Sequence, residues 1–421
     1  MLKSVQINDN IELSYIPMSN LKTVTVGFYI HRPLCREEAG KNALLTNILK
    51  QGTENFPTRK ALNRRLEELY GAHISGGVGK RGEDQVISFH TGCISDRFTP
   101  HGEKLLDDAV GLLCEVIFRP RVENGRFYDE IFEKERKNLI DKIRAQINDK
   151  RTYASVRLCE ITCEGTPYAV SSLGSEEQAK SLDNAEVFAY YKDIITSSKI
   201  DIYVAGEADF ERVTDKIREC IGGIEFHTAK MPKTEILDKA DSVKRVSDRL
   251  DVTQGKLAVS FTTGIEPDDE KIWAMSVANS VFGGGAHSKL FNNVREKLSL
   301  AYYASSSMHK MKGVIFVNAG VEFANFQKAY DEILLQLDEL KAGKITDEEL
   351  TASKLALINS LKSYYDDQVY MQSFYLGEKI TGTNYDIEYY IEKINAVTKD
   401  EVVAAAANIC ENSVYFLEGR N

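Results

Sequence analysis

The sequence predicts an α+β fold that is built twice, with two homologous domains that each carry a mostly antiparallel sheet covered by helices on one face. Alternating strand patterns occur beside long amphipathic helix patterns such as 127–147, which is typical of helices packed on a sheet. The order strand, helix, helix near the start of the chain returns after residue 250. Both halves also close on a capped helix, a turn, a strand and a glycine.

Each predicted element follows from a local pattern of apolar, capping and breaking residues. The elements of the first half are a strand at 21–30, helices at 39–51 and 58–72, the long helix at 127–147 and a closing unit at 182–209. Those of the second half are a strand at 254–264, helices within 268–285 and 288–302, and a closing unit at 397–419. The charged stretch 226–246 lacks apolar periodicity and is typical of a linker. We therefore predict domains at 1–225 and 247–421.

Composition limits the classes of partner. A chain of 421 residues with 43% hydrophobic residues is long enough for more than one globular domain. The net charge of −10 and the lack of a concentrated basic segment argue against a nucleic-acid partner. The opening residues 1–13 have neither an apolar signal core nor an arginine-rich presequence, and no stretch approaches the roughly 20 apolar residues of a membrane span. These patterns predict a cytoplasmic protein without a membrane span.

Two segments resemble a known family. "KNALLTNILKQGT" at 41–53 and "SKLFNNVREKLSLAYY" at 288–303, together with the duplicated architecture, resemble the pitrilysin/insulinase family of zinc metallopeptidases. The resemblance covers nearly the whole chain and is to half-length members, similar to mitochondrial processing peptidase subunits and their bacterial relatives. It implies that two chains close like a clamshell around a peptide chamber, with this chain forming half of that clamshell.

The zinc motif of that family is H-x-x-E-H, in which two histidines bind the metal and the glutamate acts as general base. Alignment through Gly52 and Thr53 places Ala43 and Asn47 at the histidines and Thr46 at the glutamate. Alanine has no donor atom, an asparagine amide is a poor zinc ligand, and a threonine hydroxyl cannot serve as the base. The resemblance places the third ligand near Asp141 or Lys142.

The seven histidines offer no replacement site. None of them lies in an H-x-x-E-H or H-E-x-x-H pattern, and each stands alone in its segment. We expect each histidine to lie at the surface, or in the core with its hydrogen bonds satisfied. The sequence therefore predicts no cofactor in this chain, with zinc expected only in a partner subunit.

Other residues of the resemblance are present. The family uses an arginine and, seven residues later, a tyrosine to hold the substrate backbone and the oxyanion of the intermediate, and Arg295 and Tyr302 stand at that separation. Both side chains donate hydrogen bonds to oxygen, which suits charge that develops in a transition state. The alternative is a helix-surface charge and a core ring, and Tyr303 is an alternative to Tyr302.

The three glycines Gly283, Gly284 and Gly285 precede this segment. In processing-peptidase-like proteins a flexible loop here is associated with presenting substrate, so the resemblance implies substrate binding. A simple turn between two helices is the alternative. The lack of a phosphate-loop pattern argues against a nucleotide site. At 75–77, Ser-Gly-Gly weakens side-chain specificity at a strand edge that still permits pairing with a peptide backbone.

The sequence thus predicts a metal-free, inactive partner subunit of a heteromeric zinc peptidase. A chain of the same family would bring the complete zinc motif in a heterodimer, or a homodimer would form, and a peptide would be the substrate. The alternative is a wholly non-catalytic peptide-binding or scaffold protein with the peptidase fold.

Overall fold

The computed structural model describes residues 2–227, 231 and 233–420. The strands are β1 (Lys3–Gln6), β2 (Ile11–Ile16), β3 (Thr23–Pro33), β4 (His73–Arg81), β5 (Asp84–Ile94), β6 (Val122–Glu123), β7 (Arg126–Phe127), β8 (Lys199–Gly206), β9 (Lys244–Leu250), β10 (Gly255–Thr262), β11 (Ala301–His309), β12 (Val314–Val321) and β13 (Cys410–Gly419). The helices are α1 (Arg36–Ile48), α2 (Arg59–Glu68), α3 (Leu105–Phe118), α4 (Asp129–Ala145), α5 (Lys150–Thr162), α6 (Glu176–Ser181), α7 (Asn184–Ser197), α8 (Phe210–Ile221), α9 (Ile272–Gly283), α10 (Phe326–Lys341), α11 (Asp347–Ser363), α12 (Gln368–Thr381), α13 (Ile387–Ala396) and α14 (Lys399–Ala406).

The chain forms two compact units, and neither is continuous in sequence. The first unit comprises 1–144, 170–233 and 364–380, and the second comprises 145–169, 234–363 and 381–421. Each unit therefore includes a helical segment from the opposite half of the sequence. The domain boundaries at 1–225, 226–246 and 247–421 stay a prediction.

The sheet of the first unit has the strand order β1-β2-β8-β3-β5-β4. Its pairs are antiparallel except for β2 with β8. Alternate residues of β3, from Val24 to Ile30, point into an apolar core shared with α1, α3, α7 and α8. The intervening residues face α12, where Thr25 donates to Gln368 Oε1 at 2.6 Å and Tyr29 donates to Gln372 Oε1 at 2.9 Å. Helices thus cover both faces, one through an apolar core and the other through polar contacts.

The second unit repeats this plan with the strand order β11-β12-β10-β13-β9, in which only β13 and β9 are parallel. One face packs in an apolar core with α9, α10, α11 and α14. On the other face α5 places Ala154 and Leu158 in a smaller apolar cluster with Ala258 and Phe316. The predicted α+β class with two sheet-and-helix units is confirmed. Helices lie on both faces of each sheet and not on the predicted single face, because α12 packs on the second face of the first sheet and α5 on that of the second. Within the described residues, no helix combines the length and the apolar character needed to cross a bilayer.

Candidate functional site

Helix α1 carries the three positions that the resemblance aligns with the zinc motif. Ala43 is only 2% exposed and packs in the apolar core of the first unit. Thr46 is also buried, and its hydroxyl donates to the backbone carbonyl of Ala43 at 2.8 Å. Asn47 is partly exposed, and its side-chain amide has no hydrogen-bond partner in the described part of the chain. The helix therefore places an apolar methyl and an internally bonded hydroxyl where a metal site would need donors.

Basic residues approach this end of α1. Lys50 follows in the 3₁₀ turn Leu49–Gln51, and its ammonium donates to the backbone carbonyl of Gly76 on β4 at 2.7 Å. Burial lowers the pKa of Lys50, and the nearby charges of Arg59 and Lys142 lower it further, whereas Glu135 opposes them. Lys142 of α4 is exposed and has no ion-pair partner among the residues described. We call Asn47, Lys50, Glu135 and Lys142 the lysine site.

Glu135 is the buried acid of the lysine site. It is 4% exposed, although it lies on an otherwise polar stretch of α4, and Asn138 donates to its Oε2 at 3.1 Å. Neither Glu135 nor Lys50 was predicted from the sequence as a site residue. The amphipathic pattern of α4 indicates which of its positions face the core. The charged Glu135 at such a position is the feature from which it could have been predicted. No local pattern indicates that Lys50 reaches β4.

A zinc ion does not fit at this place. Ala43 and Thr46 offer no ligand, and the two lysines would bring ammonium charges toward a dication. Glu135 is a single carboxylate, already in a hydrogen bond. Elsewhere in the described ranges, no group of three or more histidine, cysteine, aspartate or glutamate side chains could hold a metal ion.

The predicted Arg295 and Tyr302 lie in the second unit, on two irregular pieces of backbone. Arg295 belongs to a π-helical segment, Leu290–Lys297, and its side chain is 41% exposed, where it contacts Glu296 at 3.2 Å and covers the ring of Phe291 at 4.6 Å. Tyr302 is 60% exposed, and its hydroxyl donates to Glu322 at 3.2 Å. Both residues thus present hydrogen-bond donors at the surface of this unit.

A β-bulge distinguishes Tyr302 from Tyr303. In the pairing of β11 with β12, Ala301 and Tyr303 oppose consecutive residues of β12, so Tyr302 is the extra residue and is turned away from the ladder. Tyr303 is half-buried beneath the guanidinium of Arg151, which lies 4.4 Å from its ring, and burial raises its pKa. The exposed hydroxyl of the pair is therefore that of Tyr302. The roles predicted for Arg295 and Tyr302 stay predictions.

The glycine run differs along its length. Gly283 is the last residue of α9 and is buried, and a methyl group there would lie 2.5 Å from the backbone nitrogen of Ser306. Close packing against β11 therefore gives glycine at 283 a structural reason. Gly284 is exposed and Gly285 partly exposed. Substrate binding by the three residues stays a prediction.

One histidine forms a buried network in the first unit. His31 of β3 contacts Asp84 through Nδ1 at 2.5 Å and Asp201 through Nε2 at 3.1 Å. Burial by itself lowers the pKa of His31, but the hydrogen bonds and charges of Asp201 and Asp84 outweigh it and raise the pKa to about 9. This histidine is a satisfied core residue, as the sequence analysis expects of isolated histidines.

Comparison with known proteins identifies the family. The sequence profile described as "Peptidase M16 inactive domain" matches residues 181–357. The chain is 31% identical to the "Probable inactive metalloprotease YmfF" of Bacillus subtilis over 404 residues, which covers 96% of this chain and 95% of YmfF. The chain belongs to the M16 peptidase family. The resemblance to zinc metallopeptidases is thereby confirmed, and the matching profile and YmfF are both described as inactive.

A second relative and a solved structure are also similar to this M16 chain. It is 26% identical to the "Uncharacterized zinc protease YmxG" of Bacillus subtilis over 329 residues, with 75% of this chain and 76% of YmxG covered. Its fold matches the crystal structure of a conserved protein from Enterococcus faecalis V583 with a TM-score of 0.91 and 29% identity, covering 100% of this chain and 99% of that one. This chain therefore has the M16 fold along its full length.

Proposed function

We propose that this chain is the metal-free partner subunit of a heteromeric M16 peptidase and supplies Arg295 and Tyr302 to a peptide chamber shared with a zinc-bearing chain. The observation that carries the proposal is the contrast between two places. The three α1 positions carry no suitable zinc ligand, whereas Arg295 and Tyr302 have exposed donor groups. The side chain of Arg295 is 41% exposed, and Tyr302 as a whole residue is 60% exposed. Exposed guanidinium and phenol groups, which contact Glu296, Phe291 and Glu322, are suited to bind a peptide.

The chemistry of the two side chains is complementary. The guanidinium of Arg295 would hold a substrate carbonyl through directed N–H donors, which acts already in the bound ground state. The phenol of Tyr302 would exchange its contact with Glu322 for a hydrogen bond to the oxygen that becomes negative during peptide hydrolysis. The zinc-bearing chain would contribute the metal and the general base that this chain lacks.

The second candidate function is peptide binding without catalysis. It is favoured by the description of YmfF as inactive and by β4, an edge strand at which a peptide can add a further strand. The two candidates differ in a single requirement. Only the first requires Arg295 and Tyr302 to act during a chemical step.

The test is steady-state cleavage of an unfolded peptide by this chain mixed with an M16 chain of the same genome that has an intact H-x-x-E-H motif. We expect cleavage by the mixture and by neither chain alone. Tyr302→Phe should lower kcat by about 10²–10³, the usual effect of losing one oxyanion donor, while association on a sizing column is unchanged. Arg295→Ala should also raise KM because it removes ground-state binding.

Tyr370→Phe is the matched control because Tyr370 is also 60% exposed and belongs to the first unit. It should cleave at the unmutated rate. If the unmutated mixture cleaves the peptide and both Tyr302→Phe and Arg295→Ala cleave it at the same rate, the catalytic role is wrong. Peptide binding without catalysis then becomes the proposed function.

A further inference from the structure

The edge strand β4 directs one row of its backbone groups away from the sheet. β4 and β5 form a hairpin that pairs Arg81 with Asp84 across the turn Gly82–Glu83, and β4 is the last strand of its sheet. In an antiparallel ladder only every second pair exchanges hydrogen bonds, beginning here with the pair that closes the turn. Counting back from Arg81 leaves Gly76 with its N–H and C=O directed outward. Its carbonyl is the one that accepts the Lys50 ammonium.

The lysine site therefore adjoins the open edge. Lys50 holds the outward carbonyl of Gly76, and the guanidinium of Arg59 donates to the backbone carbonyl of Lys50 at 2.7 Å, which anchors the turn that carries it. A peptide that adds to β4 would reach Lys50 at Gly76. Among the residues described, the Lys50 ammonium has one acceptor, so two of its donor hydrogens remain.

The local charge is positive in a chain whose net charge is −10. Arg59 and Lys142 are each near enough to Lys50 to lower its pKa, and Glu135 is the only carboxylate in the described residues that raises it. Lys142 has no ion-pair partner there, and the amide of Asn47 has no hydrogen-bond partner. An oxygen anion is the ligand that the unpaired Lys142 ammonium, the remaining donor hydrogens of Lys50 and an amide N–H bind best.

We propose that the lysine site binds the terminal carboxylate of a peptide whose backbone pairs with the open edge of β4. The cations of the lysine site belong to side chains, and their positive charge favours the charged end of a peptide chain. A continuing peptide offers only a neutral carbonyl, and hydrogen bonds to a charged acceptor are roughly twice as strong as neutral ones. The site would therefore recognise the product-like end of an extended peptide.

This proposal deepens the peptide binding of the proposed function but needs neither a partner chain nor catalysis. Its test is therefore made on the chain alone, by fluorescence anisotropy. The probes are three N-terminally labelled peptides of one sequence: a free C-terminal acid, the C-terminal amide, and the amide with aspartate as its last residue. We expect the free acid to bind about tenfold more tightly than the plain amide, as for a charge-assisted pair. The aspartate amide separates a side-chain carboxylate from a terminal one and should bind like the plain amide.

Lys142→Gln removes an exposed charge without disturbing the fold. It should lower the ratio of the affinity for the acid to that for the amide at least threefold. Lys50→Met should remove the preference altogether, with unfolding by heat as the check that the variant is folded. Lys137→Gln is the matched control, since Lys137 is an exposed lysine on the same helix and lies outside the site. It should keep the full preference.

Equal binding of the acid and the amide, or tightest binding of the aspartate amide, would overturn the terminal-carboxylate assignment. An unchanged acid preference in both Lys50→Met and Lys142→Gln would place the carboxylate elsewhere and overturn the site. These outcomes are independent of the cleavage assay, because a mixture that cleaves normally can still fail here, and the reverse also holds.

Discussion

At the scale of single residues, His31 is a buried histidine of the first unit whose pKa is raised. Both of its ring nitrogens face carboxylates, and Asp201 is also contacted by Lys379, whose ammonium lies 2.5 Å from Asp201 and 2.9 Å from Glu12. Lys379 belongs to α12, so the charge network joins the sheet to that helix. A buried imidazolium between two carboxylates is stabilising only while it keeps its proton.

The raised pKa of His31 predicts a specific loss of stability at alkaline pH. Because the pKa of about 9 in the folded chain exceeds the unfolded value near 6.5, the contribution is full below about pH 6.5 and is lost as pH rises through about 9. His31→Gln should lower the free energy of unfolding by about 3–5 kcal/mol at pH 7, because two buried carboxylates lose their counter-charge.

Urea unfolding at pH 6.5, 8 and 9.5 measures this. The parent chain should lose about 3 kcal/mol across that range from His31 alone. The variant should lack that slope, and His101→Gln, at an exposed loop position, should retain it. A parental slope in His31→Gln would show that other groups cause it.

At the scale of elements, α12 covers the second face of the first sheet through polar contacts, and glycine at 27 makes room for it. Gln372 is fully buried and joins the hydroxyl of Tyr29 at 2.9 Å to the carbonyl of Thr25 at 3.0 Å. A methyl group at Gly27 would collide with Gln372 Oε1 and would lie 2.8 Å from His90 Cδ2.

Gly27→Ala should therefore lower the free energy of unfolding by about 1–3 kcal/mol, the usual range for overpacking a well-packed interior. Gly77→Ala is the matched control, because a methyl group at Gly77 of β4 would meet no atom within 4 Å. Denaturant unfolding of both variants is the measurement. Equal stability of the two would mean that α12 shifts without cost at this contact.

At the scale of the whole molecule, the lack of metal ligands at the three α1 positions predicts a chain that is inert by itself. Purified alone, it should contain no stoichiometric zinc and should not cleave unfolded peptides, because Ala43, Thr46 and Asn47 supply neither ligands nor a base. Metal analysis by mass spectrometry together with a peptide cleavage assay measures this. One zinc per chain, removed together with an activity, would contradict it.

A restoring variant sharpens the same prediction. Ala43→His, Thr46→Glu and Asn47→His together should still fail to produce a peptidase, since the third ligand is missing and Lys50 and Lys142 remain. The new histidine at 43 would also enter a position that is only 2% exposed. Stoichiometric zinc and cleavage in this triple variant would show that the lysine site tolerates a metal.

The sequence by itself determined what depends on residue identity and local period. The strand and helix patterns repeat along the chain, and the two sheet-and-helix units were predicted from them. The family was predicted from the resemblance of the segments 41–53 and 288–303 together with this duplication. The missing donors at 43, 46 and 47 were also visible, because an alanine lacks a ligand atom in any fold. The separation of Arg295 and Tyr302 was visible too, although only the structure shows that a π-helical segment and a β-bulge carry them.

Only the tertiary structure decided which surfaces meet. An amphipathic pattern shows that a helix has an apolar side but does not name the sheet that covers it, so the assignment of α5 and α12 to the opposite units was not predictable. The contacts of Lys50 with Gly76, and of His31 with Asp84 and Asp201, join residues that are 26, 53 and 170 positions apart. The pKa values and hydrogen-bond partners of such charged groups depend on burial and on residues brought near by packing. Neither can be predicted from the local sequence.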